Sequence, residues 1–232
     1  VRGFLELGLT NPEIRGESGT KMFLYLWERI QDHKANPRDD LITYLLNAEV
    51  DGQPVPEHHI LGTCFLVLVA GIDTTWSSIG SALWHLAQHP EHRKQLIENP
   101  DLITSAVEEL LRAYSPVTMA RIVTKDVEYK GCPMKEGDRV LMNFPAANRD
   151  PEQFPEPERI DLYRQPAGKH LAFGIGRHHC IGAQLARQEM QSAFEALLTR
   201  YSRFELTPGK PAPEYAPSFF GRNLLHLHLT CR

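Results

Sequence analysis

Apolar and polar positions follow a helical period from Lys21 to Lys34, and Asn36-Pro37 breaks that pattern before a second helical stretch from about Arg38 to Glu49. Asp51-Gly52-Gln53-Pro54 then reads as a turn. From Pro56, at a good first helical position, helical character continues through single glycines to His89-Pro90. At 1.5 Å per residue those roughly 32 residues make a helix of about 48 Å, apolar on most faces through its middle. Such a helix is predicted to cross the centre of a domain. Its most apolar run, Leu61 to Ile72, is about 12 residues, short of the roughly 18 to 20 that a membrane span needs. It therefore reads as a buried helix segment, and no membrane segment is expected.

Two shorter helices are predicted next, about Glu91 to Glu98 and Pro100 to Tyr114, each opened by a proline signal. The pattern turns β-rich from Arg121 to Phe144, with Ile122-Val123, Val127-Glu128-Tyr129 and Arg139-Val140-Leu141 separated by Lys130-Gly131 and Glu136-Gly137-Asp138 turns. Asn148 to Gly168 has little periodicity, and a structureless stretch of that length is normally functional or pinned by specific contacts. A last helix from about Ile181 to Tyr201 precedes the alternating Leu225-His226-Leu227-His228-Leu229, which reads as a strand with both histidines on its polar face. The fold class is mainly α with small β-sheets.

Composition narrows the class. With 42% hydrophobic and 23% charged residues, the 232-residue chain is neither disordered, collagen-like nor coiled coil. Its 25 basic and 29 acidic residues give a net charge of −4, so no global positive field draws in nucleic acid. Cys64, Cys132, Cys180 and Cys231 lie far apart without a C-x-x-C pair, which argues against a disulfide framework and for a reducing, cytoplasmic setting. The chain starts at Val1 with no signal-like segment and reads as a piece of something longer or as a processed product.

The chemistry concentrates in Phe173-Gly174-Ile175-Gly176-Arg177-His178-His179-Cys180-Ile181-Gly182, which puts one cysteine at the mouth of a helix. Gly174 and Gly176 permit a tight or positive-φ loop, and Gly182 lets a flat ligand approach the backbone. The helix dipole and backbone N–H groups would favour a thiolate there. Taken alone, the pattern reads more readily as a glycine-rich turn with a buried thiol as packing. His178-His179-Cys180 could in principle meet zinc, but no second ligand pair lies nearby in sequence. His85, His89 and His92 have helical spacing, yet Pro90 interrupts them, and they are expected to be surface residues.

The segment from Phe173 to Gly182 resembles the haem-binding loop of the cytochromes P450, F-G-x-G-x-[HR]-x-C-x-G, at every fixed position. Ala70-Gly71-Ile72-Asp73-Thr74-Thr75 resembles the oxygen-binding turn of that family's long central helix. Glu109-Leu110-Leu111-Arg112 resembles its E-x-x-R, and Phe154-Pro155-Glu156-Pro157-Glu158-Arg159-Ile160-Asp161 looks like the meander whose arginine completes the E-R-R triad. The resemblance covers essentially the whole chain, read as the C-terminal portion of a single P450 domain over 1–232, with the long central helix and the haem-binding loop.

The resemblance implies a monooxygenase with haem b and O2, in which Cys180 is the axial iron ligand. Arg121 and His178 would meet the propionates, and Phe173 would pack near the sulfur. Gly71 would leave room for a diatomic, and Thr74 can bond back to the Ala70 carbonyl, opening the helix ladder locally. Asp73 and Thr74 would relay protons through water; the plain alternative is a helix kink with Asp73 turned to solvent. Glu109, Arg112 and Arg159 would form a buried network behind the haem. Val67, Val117, Thr118, Met119, Ala120 and Ser218 to Gly221, including Phe219 and Phe220, would face a small, apolar organic substrate. No flavin or iron-sulfur motif is present, so NAD(P)H electrons would arrive through a ferredoxin reductase and ferredoxin, meeting Lys169, Arg177 and Arg187. A non-catalytic haem protein and an inactive fragment are the competing classes; substrate-dependent NAD(P)H consumption separates them from an enzyme.

Overall fold

The computed structural model describes residues 11–211, 213–218 and 221–231. The helices are α1 (Pro12–Ala35), α2 (Leu41–Leu46), α3 (Glu57–Gln88), α4 (Pro90–Glu98), α5 (Ile103–Ala113), α6 (Phe144–Ala147) and α7 (Ala183–Arg200). Five two-stranded antiparallel pairs accompany them among the described residues. They are β1 (Glu49–Val50) with β2 (Gln53–Pro54), β3 (Met119–Ile122) with β6 (Arg139–Met142), and β4 (Val127–Tyr129) with β5 (Cys132–Met134). β7 (Phe204–Leu206) pairs with β10 (Leu229–Cys231), and β8 (Glu214–Ser218) with β9 (Gly221–His226).

Several boundaries differ from the sequence reading for local reasons. α1 begins nine residues before Lys21, because the Asn11 side chain accepts from the Glu13 and Ile14 N–H groups and Pro12 fills a first-turn position. α2 is a short helix capped by Asp40, and the expected turn after it is the β1–β2 hairpin, with Asp51 and Gly52 at φ 53° and 74°. The C-terminal run is not one strand: β9 ends at His226, and Leu227-His228 connects it to β10. His226 therefore closes one strand, while His228 lies exposed in a connection whose carbonyl accepts from Thr207 N–H.

The chain divides into two compact units at the Asp73/Thr74 boundary within α3. In the first, Leu26 and Ile30 of α1 pack with Ile60 and Cys64 of α3, and Phe23 stacks on Phe65 at 4.2 Å. In the second, Ala82 and Leu86 of α3, Ala106, Val107 and Leu110 of α5, and Met190, Phe194 and Leu198 of α7 share one core with Leu162 and Phe204. The α7 residues recur every four positions, as a single buried helix face requires. Buried Arg93 of α4 donates to the carbonyls of Leu86 and Phe204, tying α4 to the end of α3 and to β7.

The expectation of a buried segment from Leu61 to Ile72 is corrected. Within this run only Cys64 is buried, and Leu66 and Val67 are exposed. α3 is also long and apolar enough, by length and composition, to cross a membrane, because counting the unbroken apolar run alone passed over small and weakly polar residues that do not interrupt it.

Candidate functional site

The Phe173–Gly182 loop enters α7 through a 3-10 turn at Gly176–His178. Gly174 and Gly176 sit at φ 69° and 74°, a left-handed conformation costly for any residue with a Cβ. Gly174 N–H donates to the Leu171 carbonyl, His179 N–H to that of Gly176, and Cys180 N–H to that of Phe173 at 2.9 Å. These bonds fix the backbone and leave Cys180 exposed at the head of α7. Ile181, next in the chain, is 98% exposed, and Ile175, earlier in the loop, is 72% exposed. A Cβ at Gly182 would meet Cys180 Sγ at 3.9 Å, so the bare backbone there borders the sulfur.

The loop is braced from behind. The Arg187 guanidinium lies over the Phe173 ring at 4.5 Å and pairs with Glu108 of α5, Nε to Oε1 at 2.6 Å and Nη2 to Oε2 at 3.0 Å. His170 Nδ1 accepts from Ala172 N–H, so its proton sits on Nε2, which donates to Glu108 Oε2 at 3.2 Å. Burial pushes the Glu108 carboxyl up, but these hydrogen bonds and the Arg187 charge outweigh it and hold its pKa down at about 2. Arg187 is thereby engaged within the fold, which corrects its expected place among cations meeting a partner; Lys169 and Arg177 are exposed. Glu108 and His170 were not singled out in the sequence, although Glu108 adjoins the E-x-x-R and His170 stands three residues before Phe173.

Glu109 and Arg112 are fully buried and paired bidentately, Nε to Oε2 at 2.7 Å and Nη2 to Oε1 at 2.9 Å. Arg112 Nη1 also donates to the carbonyls of Asn148 and Pro157, pinning the irregular segment after α6. The third member of this network is Arg164, not Arg159. Arg164 Nε reaches both Glu109 oxygens at 3.1 Å, and its other nitrogens donate to the carbonyls of Pro155, Glu156 and Arg159. The Arg159 side chain is 63% exposed and pairs with Glu156, against 11% exposure for Arg164. The turn from Glu156 to Arg159 directs the Arg159 carbonyl inward, where it accepts from Arg112 at 3.3 Å, and its side chain outward.

On α3 the segment from Ala70 to Thr75 is α-helical throughout, so the expected local opening is not a break in the helix. Asp73 and Thr74 are half-buried, and the Thr74 carbonyl accepts from the Ser78 hydroxyl at 2.8 Å. Arg121 is exposed on β3, its Nη1 donating to the Ala120 carbonyl, and His178 is exposed in the 3-10 turn. Val117 and Thr118 are half-buried, while Val67, Met119 and Ala120 are exposed. Phe219 and Phe220 lie outside the described residues.

The family model described as "Cytochrome P450" matches residues 20–225. The chain belongs to the cytochrome P450 family. The polyketide biosynthesis cytochrome P450 PksS of Bacillus subtilis is 38% identical over 216 residues, 92% of this chain and 53% of that protein. The biotin biosynthesis cytochrome P450 of the same organism is 40% identical over 89% of the chain and 51% of its own length. The vitamin D(3) 25-hydroxylase of Pseudonocardia autotrophica is 37% identical over 90% and 53%. The solved structure of PksS superposes with a TM-score of 0.91 at 36% identity, covering 99% of this chain and 59% of PksS. This P450 chain spans about half the length of the curated relatives it matches.

One cluster in this P450 chain overturns its sequence reading. His85 is buried rather than at the surface, its Nδ1 2.8 Å from Tyr114 Oη and its Nε2 2.8 Å from His92 Nδ1. Burial, reinforced by His89 and His92, pushes its pKa down to about 3. Pro90 does not interrupt the set, because His89 caps α4 with proline in its first turn and the chain continues directly from α3.

Proposed function

We propose that this chain is the C-terminal portion of a haem-thiolate monooxygenase acting on small, apolar organic molecules, with residues 1–232 lying within one P450 domain. The observation that carries the reading is the braced loop that presents Cys180 at the head of α7. An exposed cysteine in a loop that also exposes Ile175 and Ile181, with a backbone bare of Cβ at Gly182 beside the sulfur, fits the flat apolar face of haem b. In this reading Cys180 would hold the haem iron through its sulfur, Arg121 and His178 would meet the propionates as charge-assisted donors, and Phe173, with Arg187 over its ring, would support the sulfur side. The bound haem supplies reductive activation of O2, one atom entering the substrate and the other leaving as water.

The chain's own residues supply position and protons. Ala70 and Gly71 keep side-chain bulk away from the helix turn where a diatomic must fit; a Cβ at Gly71 would meet no described atom within 4 Å. Asp73 and Thr74 pass protons, through water, toward that turn. Val67, Val117, Thr118, Met119 and Ala120 would contact the substrate. Relatives named for polyketide biosynthesis and vitamin D(3) hydroxylation, and a solved P450BioI bound to a hexadecenoyl-loaded acyl carrier protein, support an apolar guest. Electrons come from NAD(P)H through a ferredoxin reductase and a ferredoxin, in the cytoplasm, with Lys169 and Arg177 as docking cations.

The test is turnover by the full-length protein with its redox partners. Substrate-dependent NAD(P)H and O2 consumption is expected, and Thr74→Ala should divert most reducing equivalents to hydrogen peroxide. Unchanged coupling in that variant would remove Thr74 from the proton path, and absence of substrate-dependent consumption would overturn the enzyme reading.

A further inference from the structure

The cluster formed by His85 at the end of α3, His89 at the cap of α4 and His92 in its first turn has no part in the reading above. Each residue offers one ring nitrogen, and the three lie within 4.8 Å of one another. The His89 ring is stacked on that of His85, centroids 4.2 Å apart and planes 22° apart, so it must turn out of the stack to aim its nitrogen at an ion shared with His85 and His92. We propose that these three imidazoles form a binding site for one divalent transition-metal ion of the Zn2+ class, with water as the fourth ligand.

Geometry and chemistry both support the site. Two nitrogens on a tetrahedral Zn2+ stand roughly 3.3 Å apart, given bonds of about 2.0 to 2.1 Å. His85 Nε2 and His92 Nδ1 are already 2.8 Å apart, so exchanging their hydrogen bond for a shared ion opens the pair by about half an ångström. The outer nitrogens are held as metal-bound histidines require. His85 Nδ1 meets Tyr114 Oη at 2.8 Å, and His89 Nδ1 meets Glu91 Oε1 at 2.9 Å, which leaves Nε2 of each ring for the ion. Burial is the largest influence on His92 and holds its pKa below the ordinary imidazole value, keeping the ring in the neutral form that a metal ion needs, while Glu91, Asp161 and Glu109 oppose it. Burial of His85, with His89 and His92 only half-buried, gives a closed inner wall and an outer side open to a water ligand. An all-imidazole set suits Zn2+, Cu2+ and Ni2+ rather than oxygen-seeking Mg2+ or Ca2+. The ion would join the end of α3 to the start of α4 and, through Tyr114, to the end of α5.

Co2+ is the probe, because its visible d–d bands report tetrahedral nitrogen coordination, and Zn2+ should displace it. The purified protein is expected to bind one equivalent saturably and to gain several degrees in Tm with Zn2+. His89→Gln and His92→Gln, both away from the deepest burial, should each weaken binding at least about tenfold, and the double variant should lose the bands and the Tm gain. Tyr114→Phe should weaken binding about tenfold while leaving the bands in place. Absence of saturable binding, or binding undiminished in the double variant, would overturn the site; the second result would put the ion on the exposed thiols. None of these readouts depends on monooxygenase activity.

Discussion

Glu109 keeps a carboxylate with no exposed surface because Arg112, Arg164 and the Asp161 N–H all donate to it. Such a charge tolerates burial only while its partners remain. Arg164→Ala should therefore cost about 3 kcal/mol in urea denaturation, whereas Arg159→Ala should stay within about 0.5 kcal/mol. Equal costs would contradict the assignment of Arg164 to the network. The sequence identified Glu109 and Arg112 because three-residue spacing on a helix forces them together. It could not choose between two arginines five residues apart in an aperiodic segment, where the turns through Pro155 and Pro157 decide which side chain points inward. Glu108 makes a second residue-scale prediction. Its folded pKa of about 2 lies below the ordinary 4.5, so its stabilisation is complete above pH about 4.5 and is lost as pH falls through about 2. That contribution is about 3 kcal/mol at neutral pH. The stability gap between the protein and Glu108→Gln should narrow from pH 7 to pH 3, and a constant gap would contradict the linkage.

At the scale of elements, the loop and α7 form one device: the glycines set the path, the backbone bonds fix it, and Arg187 on α7 clamps Phe173. Gly176→Ala forces a Cβ into φ 74° with no described atom within 4 Å, so conformation alone sets its cost, roughly 1 to 2 kcal/mol. Weaker haem uptake should accompany a lower melting temperature in that variant; full uptake with unchanged melting would show that the loop does not need this conformation. The long helix, the β-rich middle and the final helix were legible because periodicity and punctuation agreed over many residues. The start of α1 was marked by Asn11-Pro12, a cap whose meaning needs the helix behind it. The histidine cluster was legible as spacing only, since its burial depends on Tyr114, 29 residues beyond His85.

At the scale of the whole molecule, an apolar helix with exposed faces is stable only where something else covers them, and this chain spans about half the length of the curated relatives it matches. The family was legible from four short motifs because each is dense in residues that haem chemistry constrains. Substrate was not, because pocket residues are few, dispersed and tolerant of any apolar side chain. The central claim is that Cys180 ligates haem iron, and the most direct measurement is the carbon monoxide difference spectrum of the haem-loaded, dithionite-reduced protein and of Cys180→Ala. The account predicts the red-shifted Soret band of a thiolate ligand, lost on substitution. A band typical of a histidine or neutral thiol, or a red-shifted band that survives in Cys180→Ala, would contradict it.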